Sequence, residues 1–593
     1  MNSRKANSRE YQRQAIDAEI KSLEESIRAL KRCRNAVAPI SSLPTEIIAT
    51  IFSTLRLFTA PIVNGKSDYL AWLHVTHVCH HWREIALNNP IFWSHIDFNK
   101  IPLAVAAEML VRAKMAPLNL EAWATNHYQD NAWFIGFTKV LQSHVTNLCH
   151  LKITAGTVFL RRALKGLSSP APTLESLSLT DDFATPSRTT ISQTLFGGIA
   201  PRLFSLELHR CNISWKSPLL KGLRYLQIHA PSRHVRPSLA DWLDALDQMP
   251  QLKNLVLYYA SPIAPPIPLD VKRTVTLPFL TDLDIAASAG ECSLALSHFV
   301  LPVLTQLRIE AKSVLGGRDV LKLLPYVARH SHGPQDTKPL QNVVIYGERK
   351  RIEISAYSDT NFQLYDPSFL VAAAFTAPRV TLFIKCQFPT EVLDAAMTAL
   401  PLDNLLQLTA PSCTRLDELF WRTHAPRWPL LQCVRLAPFA ARGFREMILQ
   451  DNCGHENPLL PSLTNLILHE CILAIPRTLR LRDALMKRMD QGVPLETLDL
   501  RSCYATNSID YSVVVQLLSE IVVDVLGWAQ ETLHSCPFFD FDDNDSGAED
   551  YLDNESSPRT SDDDEADEGG DDKEIDDDDD DGEEDYGGTT DED

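Results

Sequence analysis

The sequence predicts an α/β repeat fold, and three observations point to it. A unit of the form Pro-x-Leu-x-x-Leu-x-Leu recurs from about residue 147 to residue 503. Amphipathic segments of helical period separate its copies. The residues ahead of the repeat read as helices, and those beyond about 538 are dominated by Asp, Glu, Gly and Ser. The expected architecture is an all-α N-terminal part, a leucine-rich-repeat solenoid closed by a capping helix, and a disordered acidic C-terminal tail.

Residues 1–39 form the first element, a heptad helix. Ile16, Ile20, Leu23, Ile27, Leu30 and Val37 alternate at four and three residues, with Arg34 interrupting the seam. Charged neighbours flank this coiled-coil pattern, which either pairs with another helix or leans on the next domain. Pro39 ends it. Residues 40–98 make a short, tryptophan-bearing module, and 99–146 link it to the solenoid or form its first cap.

The repeat occupies residues 147–511. Full copies are "PTLESLSL" (172–179), "PRLFSLEL" (201–208), "PQLKNLVL" (250–257), "PFLTDLDI" (278–285), "PVLTQLRI" (302–309) and "PSLTNLIL" (461–468). Variants are "LCHLKI" (148–153), "GLRYLQI" (222–228), "LQNVVI" (340–345), "PLLQCVRL" (429–436) and "PLETLDL" (494–500), while 346–400 is weak. The last two leucines of the unit, two residues apart, point inward from a short strand, and the first packs the turn entering it. Segments such as "SLADWLDALDQM" (238–249) suit helices on the outer side. Strand positions such as Ser178, Glu207, Val256 and Arg308 then face the concave side. "SVVVQLLSEIVVDVLGWAQETL" (512–533) reads as a helix capping the stack, with a domain boundary at 537.

Charge is unevenly placed. Residues 540–593 hold 29 Asp and Glu against Arg559 and Lys573, or −27, leaving +7 on the rest of a chain of net −20. Such a tail, from 538 to 593, cannot bury enough apolar surface to order itself. It repels nucleic acid and attracts basic partners. Twelve cysteines are scattered without a CxxC, and there is no export signal or long apolar run. Free thiols in the cytoplasm or nucleus are expected, with no membrane association.

"HVTHVCHHWREIAL" (74–87) packs four histidines and a cysteine into eight positions. It lacks HExxH or a completing Cys pair, so no metal is expected there. As one helix it would carry Val75, Val78, Cys79, Trp82 and Ala86 on one stripe and His74, His77 and His81 on another. Together with "SSLPTEIIATIFSTL" (41–55), the order LP-x-E-I-x3-IF-x2-L…VC-x2-WR-x2-A-x3-P-x2-W closely resembles the F-box. That family is a three-helix module docking on the Skp-type adaptor of cullin–RING ubiquitin ligases. The layout of F-box followed by leucine-rich repeats resembles fungal F-box/leucine-rich-repeat proteins. The resemblance implies adaptor contacts by Leu43, Pro44, Glu46, Ile47, Ile51, Phe52, Val78 and Trp82. The insert "RLFTAPIVNGKSDYLAW" (56–72) departs from the family's tighter link.

No GxSxG, P-loop or paired nucleophile and base is present, and no cofactor is expected. The leading expectation is a non-enzymatic substrate-recognition subunit of an SCF-type ligase, held by the Skp-type adaptor and cullin scaffold and binding a protein substrate of unknown identity. A second reading rests on the tail. Leucine-rich repeats followed by an acidic tract resemble acidic nuclear phosphoproteins that bind histones. Ser546, Thr560 and Ser561 precede acids and suit acid-directed kinases.

Overall fold

In the computed structural model of the chain, the repeat leucines hold equivalent places in parallel strands. Leu177, Leu206, Leu226, Leu255, Leu283 and Leu307 lie side by side, as do Leu179, Leu208, Ile228, Leu257, Ile285 and Ile309. None of these side chains is more than 1% exposed. The structure describes residues 2–527 except 59–61, 64–65, 68–69, 125–130, 183–187, 265–272, 303, 314–316, 333–337, 349, 360–376, 451–457, 474 and 506–507. The expected acidic tail, with Ser546, Thr560 and Ser561, lies outside the described residues.

Pairings run in a line from His95–Asp97 to Asp524–Leu526, through Leu118–Ala124 and Leu148–Ala155 near the front. Two strands of this sheet therefore precede residue 147. Their sequence signal was weak because Ala122, where neighbouring strands carry a large aliphatic, pairs with Ile153, and Leu120 with Leu151.

Beyond Gln306–Lys312, chain order and sheet order part company. The neighbour of that strand is Val380–Lys385; then come Arg351–Tyr357 and Asn342–Glu348, and the last pairs with Gln407–Cys413. Arg351–Tyr357 is antiparallel to both its neighbours, so the sheet is mixed. Glu348 pairs with Arg351, a tight hairpin that turns the chain back where a uniform repeat would cross over through a helix. The "LQNVVI" copy consequently sits beside Gln407–Cys413 and not beside the copy that precedes it.

Helices cover the leucine side of the sheet. Leu239–Asp247 starts at Ser238, whose hydroxyl accepts from the Asp241 N–H at 3.2 Å, and buries Trp242, Leu243 and Leu246. Ala289–Ser297 opens with a reciprocal capping box between Ser288 and Glu291. The opposite sheet face carries one polar row: Ser178, Glu207, Gln227, Val256, Asp284 and Arg308 are successive partners.

The end of the sheet departs from the expected capping helix. Ser508–Ser519 is helical, but the chain then turns, and Asp524–Leu526 pairs parallel with Thr497–Asp499. The pairing there satisfies backbone groups of the last long strand, and β-branched Val525 at its centre suits an extended chain. No helix of the described residues is long and apolar enough to cross a membrane. The ten described cysteines are unpaired, seven of them buried.

The N-terminal part consists of α1 (Asn2–Ala36), α2 (Thr45–Phe58), α3 (Val75–Val78) and α4 (His80–Asn88). Its apolar interior, from Ile48 and Phe52 to Trp93, is continuous with that of the sheet.

Close packing between helices tests this fold. Pro438–Gln450 passes so near Glu418–His424 that a Cβ on Gly443 would stand 2.2 Å from the Leu416 carbonyl oxygen. Backbone cannot yield as a side-chain tip does, so Gly443→Ala should destabilise the chain by about 3 kcal/mol. Chemical denaturation reads this as an earlier midpoint, and an unmoved midpoint contradicts the packing.

Candidate functional site

Helix α2 is apolar on two sides. Pro44 precedes its first turn, and the Pro44 carbonyl accepts from the Ile47 and Ile48 N–H groups at 3.0 and 3.2 Å. Glu46 lies in that turn, where a carboxylate suits the positive end of the helix. Ile48 and Phe52, one turn apart, are each 1% exposed and face the interior. Ile47, Ile51 and Leu55, also one turn apart, are 48%, 37% and 40% exposed, and Leu43 ahead of the helix is 37% exposed. One stripe builds the core and the other is left facing water. Val78 is exposed as well.

Phe52 is thus corrected from a surface contact to a core residue. Its ring lies 5.2 Å from Trp82 and 6.0 Å from Phe92. Trp82 is half-buried against it. Trp72, which the sequence left inside the insert, completes the cluster edge-on to Phe92 at 4.6 Å and to Trp93 at 5.4 Å. The Trp93 indole donates to the Ala86 carbonyl at 2.8 Å. Nothing in its spacing marked Trp72, because the insert brings it back from a small hairpin in which Ile62 pairs with Ser67.

The 74–87 stretch is not one helix. Cys79 is extended (φ −158°, ψ 169°) and separates α3 from α4; its thiol accepts from the Trp82 N–H at 3.5 Å, as an N-cap does. His74, His77 and His80 are exposed, and His80 Nδ1 stands 3.2 Å from Glu84. Among the described residues, the close grouping of metal-type ligands lies elsewhere, at Cys149, His150 and Glu175. No pairing of residue types in the sequence singled it out.

Residues 40–99 match the F-box-like family. The chain matches no characterised protein. The F-box-like domain covers about a tenth of the chain; F-box domains in general bind Skp-type adaptors and are non-catalytic.

The polar row of the sheet forms a second constellation. Glu207 accepts from Ser178 Oγ at 2.9 Å and meets His209 Nε2 at 2.8 Å. His209 stacks on His229 at 4.0 Å, and His229 lies 4.5 Å from the Tyr258 ring. The Tyr258 hydroxyl donates to Asp284 at 2.9 Å. Arg308 stands 3.6 Å from Asp284 and 4.7 Å over the Phe383 ring. Ser178 and Val256, expected to project from this face, are instead nearly covered by their neighbours.

Environment sets the charges here. The His209 hydrogen bond holds Glu207 down at about 2. Burial, then the neighbouring His209, pushes His229 down to about 4. Burial and the bond to Asp284 push Tyr258 up to about 12, and burial raises Asp284 despite that bond.

Phe52→Ala should cost about 3–5 kcal/mol of stability, whereas Leu43→Ala and Ile47→Ala stay within about 0.5 kcal/mol of wild type. Equal losses on thermal denaturation would erase the distinction between the two stripes. His229 titrates lower folded than unfolded, so the unfolded chain binds the extra proton between about pH 6.5 and 4. Stability should therefore fall as pH drops through that window, and His229→Gln should flatten the fall measured by urea midpoint against pH.

Proposed function

We propose that the chain is a substrate-recognition subunit of an SCF-type cullin–RING ubiquitin ligase. The observation that carries this reading is the water-facing aliphatic stripe on α2, lying within residues that match the F-box-like family. Leu43, Ile47 and Ile51 are the anchors toward the Skp-type adaptor, with Pro44, Glu46 and Val78 beside them. Phe52 and Trp82 support the stripe from beneath. Covering the stripe removes apolar surface from water, worth roughly 25 cal/mol per Å² before association costs are met. Ubiquitin transfer belongs to the ligase partners, and this chain contributes proximity.

The repeat belongs to the same reading as a leucine-rich-repeat domain of the fungal F-box type, whose polar face receives the protein substrate. The Glu207–Arg308 row is the natural recognition surface, since it combines aromatic faces with paired charges. The cytoplasm or nucleus, where ubiquitin ligases act, is the compartment proposed.

The charge of −27 on residues 540–593 favours a second activity, capture of basic partners such as histones, with phosphorylation of Ser546, Thr560 and Ser561 deepening the charge.

Affinity purification from cells separates the two. Leu43→Glu/Ile47→Glu should lose the adaptor and cullin at least tenfold while its thermal midpoint stays at the wild-type value. Equal adaptor recovery by both chains, or none by either, overturns the receptor reading. Loss of basic proteins on deleting 540–593 supports the tail activity, and their retention removes it.

A further inference from the structure

Every residue of α1 from Glu10 to Arg34 is exposed. The helix runs 35 residues, and helices in proteins draw most of their stability from packing an apolar face. Its large aliphatic side chains make one narrow stripe. Ile16, Ile20, Leu23, Ile27, Leu30 and Val37 are 49–82% exposed. With Ile20 and Ile27 at heptad position a, Ile16, Leu23, Leu30 and Val37 fall at d. A helix lying on a globular surface carries a wider stripe that spills into e or g. Here Asp17, Glu24 and Lys31 hold e, and Glu19, Ser26 and Cys33 hold g. Between Ile16 and Leu30, with Arg13 and Arg34 at the flanking a positions, this narrow a/d seam is shaped to receive another helix of the same period.

We infer that this seam is covered by α1 of a second copy of the chain, as a parallel two-stranded coiled coil. β-Branched Ile at a with Leu at d favours two strands, and in a parallel pair like layers face like layers, so the seam is its own complement. Arg34, an a-position cation near the C-terminal end of α1, tolerates only an arrangement that keeps its head in water. The parallel register places Glu19 opposite the partner copy's Glu24, a like-charge contact that Arg28 softens by pairing with Glu24 at 3.2 Å. The pairing stands independently of the ligase reading. Combined with that reading, it presents two F-box-like domains from one end of a common stalk.

Light scattering on the full chain at about 10 μM tests it. The mass expected is twice 66.5 kDa, falling to one chain for Leu23→Glu/Ile27→Glu with the main thermal transition unmoved. Arg34→Cys on a Cys33→Ser background should form an interchain disulfide on oxidation, because facing a positions of a parallel pair come within disulfide reach. Glu19→Lys should tighten the dimer about fivefold by making an attractive pair with Glu24. Single-chain mass for the wild type, a dimer that survives Leu23→Glu/Ile27→Glu, or a dimer whose Arg34→Cys chains do not cross-link each overturns the inference. A seam covered only on adding the Skp-type adaptor overturns it in the adaptor's favour. Adaptor recovery by the monomeric variant is scored separately, so that a failed dimer and a failed receptor remain distinguishable.

Discussion

Everything in the described part of this molecule depends on stacking two inward aliphatic side chains per strand onto those of the next strand. Leu226 and Ile228 are fully enclosed because Leu206 and Leu208 lie on one side and Leu255 and Leu257 on the other. A lone unit would leave half of that surface wet, forfeiting about half of the roughly 1.5–3 kcal/mol that full burial of each side chain contributes. The sheet can stop only where something else closes the row. At the back the closing element is Asp524–Leu526. At the front it is the F-box-like domain, whose Phe92 and Trp93 precede the first strand by a single serine.

That placement constrains the domain more than a tethered module would be constrained. Trp93 is held by the Ala86 carbonyl, and the Arg112 guanidinium lies 4.6 Å over its ring from the helix after the first strand. The aliphatic stripe on α2 is therefore part of one packed body with the sheet. Whatever docks on the stripe is held in a fixed relation to the polar row, and pre-organisation of this kind spares the ordering cost of a flexible link.

Much of this was legible in the residues, and the failures have physical causes. The leucine unit specified strands and their register because a period of two fixes which side chains face the core. It did not specify that the strands between 342 and 385 would be out of order. That reversal turns on the antiparallel pairing of Asn342–Glu348 with Arg351–Tyr357, which a leucine period does not encode. The F-box-like helices were readable from Leu43 to Trp93, but the division of labour on α2 was not. Four-residue spacing generates two adjacent stripes, 47/51/55 and 48/52, and only the aromatic cluster of Trp72, Trp82 and Phe92 decides which faces inward. Cys79 misled for a related reason, since helical period runs through it although its thiol caps the next helix.

His229 Nε2 has no hydrogen-bond partner among the described residues, and burial already keeps the ring neutral. A partner seated over the row would strip the remaining water from Glu207, Asp284 and Arg308 as well. Each polar group left unpaired by that step costs about 1–3 kcal/mol, so a surface that merely fits would bind poorly. A partner that leaves the Glu207–His209 and Asp284–Arg308 pairs intact avoids that cost. If this face is the recognition surface proposed above, its selectivity comes from penalties imposed on mismatched partners more than from attraction to the matched one.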